Sequence, residues 1–340
     1  MAAKVPRMLT AEVNGQTFAY YDTGAPKAVD YTTLIIVHGN TYHAGTFFTL
    51  LPPAPSLNLR VILVQRRLYP GSSSYTEKET AIVMNGTEAE RKALLDRDGE
   101  LLALFVDNMI QVHSLNKVAV IGWSAGTCYL HCIVDAIKRV NDDARSRLQQ
   151  HIQALIYWDP PSSVSGLEDP PTGGWIPLYD TSLTPEQRGE AFGKWLSYHY
   201  PHPDLEKRDP TTLIYKLDKP IKPPSFSNLT MEQFFTMIDL TANPRGDVAV
   251  GSPYYKPYLL DRYQRALLDP EVRKLWTNAK FGCIYGDQSP YNVQWAIWCW
   301  EKDLQNVGLD MHFIDMKESN HFVMSDDPEL TLKTIKSLLA

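Results

Sequence analysis

Short apolar runs alternate along the chain with segments whose apolar residues recur at helical spacing. Six runs predict β-strands, and a further run at residues 16–21 could begin an antiparallel edge. The six strands are predicted at residues 33–37, 60–64, 117–121, 153–158, 280–285 and 311–314. Helical spacing occurs at residues 101–112 and 130–137. This order is typical of a mostly parallel α/β sheet covered on both faces, with sites at the carboxyl ends of its strands.

A long interruption separates the fourth and fifth predicted strands. Residues 160–270 contain 16 of the 24 prolines but only a proportional share of the aromatic residues, 14 of 37. Helical patterns persist there, at residues 185–198, 231–240 and 258–268. They predict a helical cap broken by proline-rich connectors, whereas the alternative of a disordered linker conflicts with the many large apolar residues. The expected domain boundaries place the core at residues 1–160 and 278–340 and the cap at residues 161–277.

Composition narrows the classes of protein that this chain can be. Of its 340 residues, 44% are hydrophobic and 21% are charged, which supports a packed core and excludes a disordered scaffold. The 33 basic and 39 acidic residues give a net charge of −6 without a long run of Lys or Arg, so we expect no nucleic acid partner. Four cysteines are too few for a disulfide framework and too badly spaced for a zinc site. They are Cys128, Cys132, Cys283 and Cys299.

The sequence lacks the usual signals for export or membrane insertion. Its first ten residues include Lys4, Pro6 and Arg7 and lack the apolar stretch of a secretory signal. No window approaches 18 uninterrupted apolar residues, and residues 336–340 match neither a peroxisomal nor a prenylation signal. We therefore expect a soluble, cytoplasmic protein without a membrane partner.

The strongest chemical signal is the pentapeptide from Gly122 to Gly126, Gly-Trp-Ser-Ala-Gly. It follows the predicted strand at 117–121 and precedes a helical pattern, which is the strand, turn and helix context of a nucleophile elbow. The glycines permit a tight turn around Ser124 that presents its hydroxyl above the sheet. The start of the helix also aims free backbone N–H groups, that of Ala125 among them, at a developing oxyanion.

Two further segments occupy positions that a serine nucleophile requires. Residues 38–40, His-Gly-Asn, directly follow the predicted strand at 33–37, where a loop N–H could supply a second oxyanion donor. His321 comes after the last predicted strand and ahead of a helix expected to begin near Pro328. A general base at that position can reach Ser124.

With these motifs, the chain resembles the α/β-hydrolase superfamily over essentially its whole length apart from the divergent cap. The resemblance implies an eight-stranded sheet, a lid inserted after the sixth strand, and the order Ser, acid, His along the chain. It further implies that no cofactor or metal takes part, and that Asn40 and Ala125 form the oxyanion hole.

The acid of the expected triad departs from the family pattern and leaves two candidates. Most members resemble Gly-x-x-Asp-Pro after the seventh strand, but residues 286–290 put Ser289 in the acid's place and Asp287 two residues early. Asp159, at the carboxyl end of the strand predicted at 153–158, is preferred. Some relatives, including certain haloalkane dehalogenases with a His-Gly-Asn loop, place the acid there. The alternative for Asp159 is a turn or N-cap role beside two prolines.

Other residues near these motifs are candidates for binding or support. The residues expected to line a substrate pocket are Gly39, His43, Trp123 and Phe322. His43 could instead be solvated, and an ordinary packing role is equally compatible with Trp123. His38 is expected to order its loop through hydrogen bonds rather than to perform chemistry.

The sequence therefore predicts a serine hydrolase that cleaves a hydrophobic carboxylic ester or lactone through an acyl-enzyme. His321 would deprotonate Ser124 and later protonate the leaving alcohol, while the acid fixes the imidazole. The aromatic, proline-rich cap favours a small hydrophobic substrate of natural-product size. Two alternatives stay open. The same triad could act as an acyltransferase, lyase or cyclase, and the scaffold could serve as a ligand receptor with slow or absent catalysis.

Overall fold

The computed structural model describes residues 6–242 and 245–339. Residues 1–5, on which the expectation of no secretory signal partly rests, lie outside the described residues, as do residues 243, 244 and 340. Within the described ranges, none of the helices combines the length and apolar character needed to cross a membrane.

Eight strands form a single sheet in the described part of the chain. Their bounds are β1 Leu9–Val13, β2 Gln16–Asp22, β3 Thr32–Val37, β4 Leu59–Val64, β5 Val118–Trp123, β6 Ile152–Trp158, β7 Lys280–Gly286 and β8 His312–Met316. The spatial order is β1-β2-β4-β3-β5-β6-β7-β8. β1 and β2 pair antiparallel at one edge, and β3 to β8 run parallel. The predicted eight-stranded, mostly parallel sheet with an antiparallel edge is confirmed.

The helices of the described residues vary from one turn to seven. Their bounds are α1 Glu77–Asn85, α2 Glu88–His113, α3 Gly126–Ala136, α4 Asp142–His151, α5 Pro185–Ser197, α6 Met231–Phe235, α7 Lys256–Tyr263, α8 Pro270–Arg273, α9 Tyr291–Val307, α10 Val323–Asp326 and α11 Pro328–Leu339. Both α1 and α2 begin with a capping box, in which a threonine and the glutamate three residues later bind each other's backbone N–H. These boxes fix where the two helices begin.

Helices cover both faces of the sheet. β4 and β5 are buried at every position, as expected of parallel strands with helices on either side. Tyr157 of β6 packs against His131 of α3 and Trp300 of α9, whereas its neighbour Ile156 lies in a groove with Leu338 of α11. Because successive side chains of a strand point to opposite faces, α3 and α9 cover one face and α11 covers the other.

An inserted segment, defined as residues 161–277, separates β6 from β7. Its described residues contribute no strand to the sheet and include α5 to α8. The helix predicted at 185–198 is present as α5. The helix predicted at 258–268 is divided into α7 and a single π-helical turn over Gln264–Leu268.

The helix predicted at 231–240 is shorter and consists of α6 alone. It ends early because the backbone that follows pairs with the core loop after β3. The N–H of His43 donates to the carbonyl of Met237 at 2.8 Å, and the N–H of Asp239 donates to the carbonyl of Thr41 at 2.8 Å. The inserted segment is therefore fastened to the loop that carries the His-Gly-Asn motif.

Candidate active site

Ser124 lies on the tight turn that joins β5 to α3. Its backbone is left-handed, with φ of +54°, and its N–H donates to the carbonyl of Trp158 at 2.9 Å. The turn requires glycine on both sides. A Cβ at Gly122 would lie 2.5 Å from the Gly126 carbonyl oxygen, and a Cβ at Gly126 would lie 2.2 Å from that of Val37. The strand, turn and helix expected around Ser124 are thus present.

Asp159 leaves β6 at the position that neighbours Ser124 across the sheet. Trp123 and Trp158 pair in register, so the next residue of each strand emerges beside the other. Asp159 is also left-handed, with φ of +51°, and its N–H donates to the carbonyl of Ile284 at 2.8 Å. The two adjacent strands therefore end in the same kind of strained turn, in which the backbone N–H donates a hydrogen bond to a carbonyl of the next strand.

The carboxylate of Asp159 is fully buried and surrounded by donors. Its Oδ2 is hydrogen bonded to Nδ1 of His321. Its Oδ1 accepts hydrogen bonds from the N–H of Gly286 and the hydroxyl of Ser289, each at 2.9 Å. These three hydrogen bonds hold the carboxylate in one orientation against the imidazole.

His321 lies in the loop between β8 and α10 and is buried. Its Nδ1 contacts Asp159, and its Nε2 has no hydrogen-bond partner among the described residues. The indole N–H of Trp123 donates to the carbonyl of His321 at 3.1 Å and thereby holds the loop. His321 and Ser124 line the same cavity. An imidazole with Nδ1 on a carboxylate and Nε2 unpaired has the form that can accept a proton from a nearby hydroxyl.

Asp287, the alternative acid, has a different environment. Its Oδ1 accepts a hydrogen bond from the N–H of Ser319 at 3.3 Å, and no hydrogen bond or ion pair among the described residues joins it to His321. Burial raises the pKa of Asp287. Asp159 is therefore hydrogen bonded to the imidazole of His321, whereas the carboxylate of Asp287 binds the backbone of Ser319 instead.

The loop after β3 passes directly beside Ser124. A Cβ on Gly39 would lie 2.9 Å from Cβ of Ser124. Asn40 and Ala125 line the same cavity as Ser124. Ala125 also precedes the first turn of α3, where backbone N–H groups lack partners within the helix. The two residues predicted for the oxyanion hole thus both border the cavity.

His38 and His43 order this loop. Nδ1 of His38 bonds the carbonyl of Gly39 at 2.8 Å, and its Nε2 accepts from the N–H of Arg66 at 3.1 Å, which requires a neutral ring. Burial, aided by the charge of Arg66, lowers the pKa of His38 well below its usual value. His43 is buried as well, its Nδ1 accepts from the N–H of Gly45 at 3.1 Å, and burial lowers its pKa to about 4.

Four residues that were predicted to line the substrate pocket do not line this cavity. They are Gly39, His43, Trp123 and Phe322. Trp123 and Phe322 instead form an aromatic layer around His321, with centroid distances to the imidazole of 4.7 Å and 5.4 Å. His43 faces neither solvent nor the cavity because it caps the turn that follows it.

The inserted segment supplies most of the cavity wall, which is largely apolar. About 720 Å³ of space free of protein atoms lies within this wall, counted out to its open mouth. The apolar side chains from the inserted segment include Ile176, Leu178, Phe192, Trp195, Leu196 and Val250. Sequence reasoning did not single out any of them, since their signal is only the apolar pattern of α5 and of short turns. Their shared location became visible only in three dimensions.

A buried ion pair also borders this cavity. Asp247 of the inserted segment lines the wall and binds Arg66, with Oδ1 to Nη1 at 2.8 Å and Oδ2 to Nη2 at 3.1 Å. The guanidinium of Arg66 lies 4.3 Å from the centre of the Tyr129 ring, within cation–π range. Neither member of the pair was identified from the sequence.

Side chains that commonly bind metal ions are dispersed among the described residues. These residues contain no group of three or more His, Cys, Asp or Glu side chains that could hold a metal ion. The four cysteines are free thiols, three of them buried.

Comparison with known proteins defines the fold. No family model and no curated protein matches the sequence. Among solved structures, a bromoperoxidase from Bacillus anthracis is similar at 14% identity and a TM-score of 0.53, with 98% of this chain and 99% of that chain covered. A thioesterase domain from the curacin biosynthetic pathway is similar at 13% identity and a TM-score of 0.53, with coverage of 98% and 100%.

A third similar structure is that of an enzyme with a different named activity. Epoxide hydrolase A from Mycobacterium thermoresistibile is similar at 14% identity and a TM-score of 0.52, with 98% of each chain covered. At such low identities the likeness concerns the fold and not the substrate. Together with the eight-stranded sheet, it establishes that this chain has the α/β-hydrolase fold that its motifs predicted.

Proposed function

We propose that this chain is a serine hydrolase that cleaves a hydrophobic carboxylic ester or lactone through an acyl-enzyme. The observation that carries the proposal is the arrangement of His321. Its Nδ1 is held by Asp159, its Nε2 is unpaired among the described residues, and it shares a cavity with Ser124. This combination is what activation of a serine hydroxyl requires.

In the proposed reaction, Ser124 Oγ attacks the substrate carbonyl while His321 Nε2 takes the hydroxyl proton. The N–H groups of Ala125 and Asn40 would stabilise the negative oxygen of the tetrahedral intermediate. His321 then returns the proton to the leaving alcohol as the ester bond breaks. A water molecule, deprotonated by the same nitrogen, releases the acid from Ser124. Asp159 stabilises the imidazolium throughout and does not itself take the proton.

The cavity supports a hydrophobic substrate. The inserted segment contributes branched aliphatic and aromatic side chains to the cavity wall. Contact between these side chains and an apolar ligand removes apolar surface from water and so stabilises the complex. We therefore assign residues 161–277 the role of a cap that admits an uncharged small molecule to Ser124. The expected ligand is an ester or lactone with an apolar body.

Covalent labelling tests the nucleophile directly. A fluorophosphonate probe should label Ser124 in the folded protein, and Ser124→Ala should abolish both labelling and hydrolysis of a p-nitrophenyl ester. Ser163→Ala is the matched control, because Ser163 lines the same cavity without belonging to the triad. Labelling of Ser163 in preference to Ser124 would refute the assignment.

Product analysis separates hydrolysis from acyl transfer. With a p-nitrophenyl ester in water, the free acid should be the product, and addition of an aliphatic alcohol should not divert most of the acyl group. A dominant ester product would move the assignment to an acyltransferase that uses the same three residues.

A further inference from the structure

One carboxylate from the inserted segment reaches into the core next to the candidate active site. Asp247 and Arg66 form a bidentate pair whose side chains are only 2% and 3% exposed. The same Oδ2 of Asp247 accepts hydrogen bonds from Nδ2 of Asn40 at 2.8 Å and from the hydroxyl of Tyr69 at 2.5 Å. Three core side chains thus converge on a single residue of the inserted segment.

Arg66 extends this network to the backbone of the loop after β3. Its Nε donates to the carbonyl of His38 at 3.1 Å, and its Nη2 donates to the carbonyl of Gly39 at 2.7 Å. Asp247 is therefore connected to this loop in two ways. It binds the side-chain amide of Asn40, and it binds the guanidinium of Arg66, which in turn binds the two carbonyls.

The loop held in this way borders the nucleophile. Gly39 approaches Ser124 so closely that a Cβ there would lie 2.9 Å from Cβ of the serine. Asn40 and Asp247 line the same cavity as Ser124 and His321. The network is therefore placed where it can set the position of backbone groups that face the reacting carbonyl.

Burial makes the network sensitive to the loss of one partner. A buried guanidinium without its carboxylate keeps a charge in a place that water reaches poorly, so its surroundings must rearrange. Besides Asp247, the acceptors that the side chain of Arg66 binds are the carbonyls of residues 38 and 39. Rearrangement would consequently move the loop beside Ser124.

We infer that Asp247 is a positioning residue, which fixes the oxyanion side of the site by holding Asn40 and Arg66 when the inserted segment covers the cavity. This inference rests on the proposed hydrolase function. It makes assembly of the oxyanion hole depend on the inserted segment, while Ser124 and Asp159 directly follow two paired strands of the sheet.

A second buried pair provides a matched control. Asp135 of α3 binds Arg262 of α7, with Oδ2 to Nη1 at 2.5 Å, and the two side chains are 2% and 1% exposed. This pair also joins the core to the inserted segment, but neither residue lines the cavity. Asp247→Asn and Asp135→Asn therefore each remove one carboxylate charge from a side chain that is 2% exposed. They differ in that Arg262 keeps a second carboxylate, Asp96, at 2.5 Å.

The first measurement compares the two variants kinetically. Asp247→Asn should lower kcat for a p-nitrophenyl ester by about 100-fold with little change in KM, because loss of oxyanion stabilisation acts on the transition state. It should weaken binding of a trifluoromethyl ketone, which forms a tetrahedral adduct with serine, by a similar factor. Asp135→Asn should lower the melting temperature without either effect. Equal kinetic losses in both variants, or an unchanged kcat in Asp247→Asn, would overturn the inference.

The second measurement does not depend on hydrolysis. Amide hydrogen exchange at residues 38–43 should be faster in Asp247→Asn than in the parent chain and unchanged in Asp135→Asn. If the parent chain hydrolyses no ester and Ser124 resists fluorophosphonate, the proposed function fails, and exchange alone decides whether Asp247 holds the loop. Should Asp247→Asn not fold, Tyr69→Phe removes one donor to the same carboxylate, and it also removes the acceptor of the Thr41 N–H, so the exchange of Thr41 itself is left out of that comparison. It should raise exchange at residues 38–43 to a smaller degree, and unchanged exchange would count against the inference.

Discussion

The hydroxyl of Ser289 donates a hydrogen bond of 2.9 Å to Oδ1 of Asp159. In the resemblance to the α/β-hydrolases, Ser289 stands where most members have the acid itself. The serine therefore supports a carboxylate that comes from the preceding strand of the sheet. The N–H of Gly286 donates to the same oxygen, so the end of β7 binds the carboxylate proposed as the acid although it does not supply it.

Replacement of Asp159 tests the assignment of the acid. Asp159→Asn should leave the imidazole in the wrong tautomer and lower turnover of a p-nitrophenyl ester by a factor on the order of 10⁴. Steady-state kinetics on the folded variant, with folding checked by circular dichroism, gives the answer.

Asp287→Asn is the paired control for that experiment. Its carboxylate contacts the N–H of Ser319 and not the imidazole, so turnover should stay close to that of the parent chain. A large loss confined to Asp287→Asn would transfer the role of acid to that residue.

Removal of the Ser289 hydroxyl should have an intermediate effect. Ser289→Ala takes away one of two donors to Oδ1 of Asp159, and a hydrogen bond to a charged group is worth about 1.5 kcal/mol, so turnover should fall roughly tenfold. Ser165→Ala is the control, because the buried Ser165 hydroxyl has no hydrogen-bond partner in the described residues. A loss in Ser289→Ala as large as that in Asp159→Asn would show that the serine does more than support the carboxylate.

A methyl group at Gly39 should displace the nucleophile. The Cβ of Gly39→Ala would lie 2.9 Å from Cβ and 3.3 Å from Oγ of Ser124, so either the loop or the serine must shift. A shift of about 1 Å in the position of reacting atoms can cost about 100-fold in rate, and we expect a loss of that order.

Gly189→Ala is the corresponding control in α5, where a Cβ meets no atom within 4 Å. It should keep full activity and raise the free energy of unfolding by up to about 1 kcal/mol, since alanine favours helix. Unimpaired kinetics in Gly39→Ala would contradict the close approach of the loop to Ser124.

Acid should destabilise the fold through buried neutral histidines. His131 is fully buried, neither ring nitrogen has a partner in the described residues, and burial lowers its pKa from 6.5 to about 3. The unfolded chain therefore binds this proton between pH 6.5 and 3 while the native state does not, so stability falls as the pH falls through that window.

His131→Phe should remove this contribution. The free energy of unfolding should then drop less between pH 7 and pH 5 than in the parent chain, by about 2 kcal/mol. Urea unfolding at both pH values measures the difference, and variant His312→Gln, at an exposed site, should behave as the parent does. Identical pH profiles in His131→Phe and the parent would mean that the ring is protonated or solvated in the native state.

Most of the sheet could be predicted because its central strands are buried on both faces and so appear as continuous apolar runs. The edge strand β1 was missed because it has only five residues, of which Val13 alone is buried. Helix α9 was also not predicted. Its apolar residues are distributed around the helix, and none of its 17 residues belongs to a catalytic motif.

Residues of the site could be predicted only where a short sequence motif or a position in a loop marks them. Ser124 and His321 were identifiable because a motif or a loop position marks each one. The choice between Asp159 and Asp287 stayed open because it depends on the direction of a side chain at the end of a strand. Asp247 had no local signal at all, since its partner Arg66 is 181 residues away in the chain.

The in-register pairing of Trp123 with Trp158 sets the distance between the two residues that follow them, Ser124 and Asp159. Neighbouring strands lie about 4.8 Å apart. The separation between the backbones of Ser124 and Asp159 is therefore fixed by the spacing of the strands and not by the inserted segment. A lineage that exchanged residues 161–277 for another segment would keep Ser124 and Asp159 at the same spacing. It would have to rebuild the pocket and the contacts between the inserted segment and the core, among them those of Asp247, Met237 and Arg262. Substrate range could then change while the spacing of Ser124 and Asp159 stays the same.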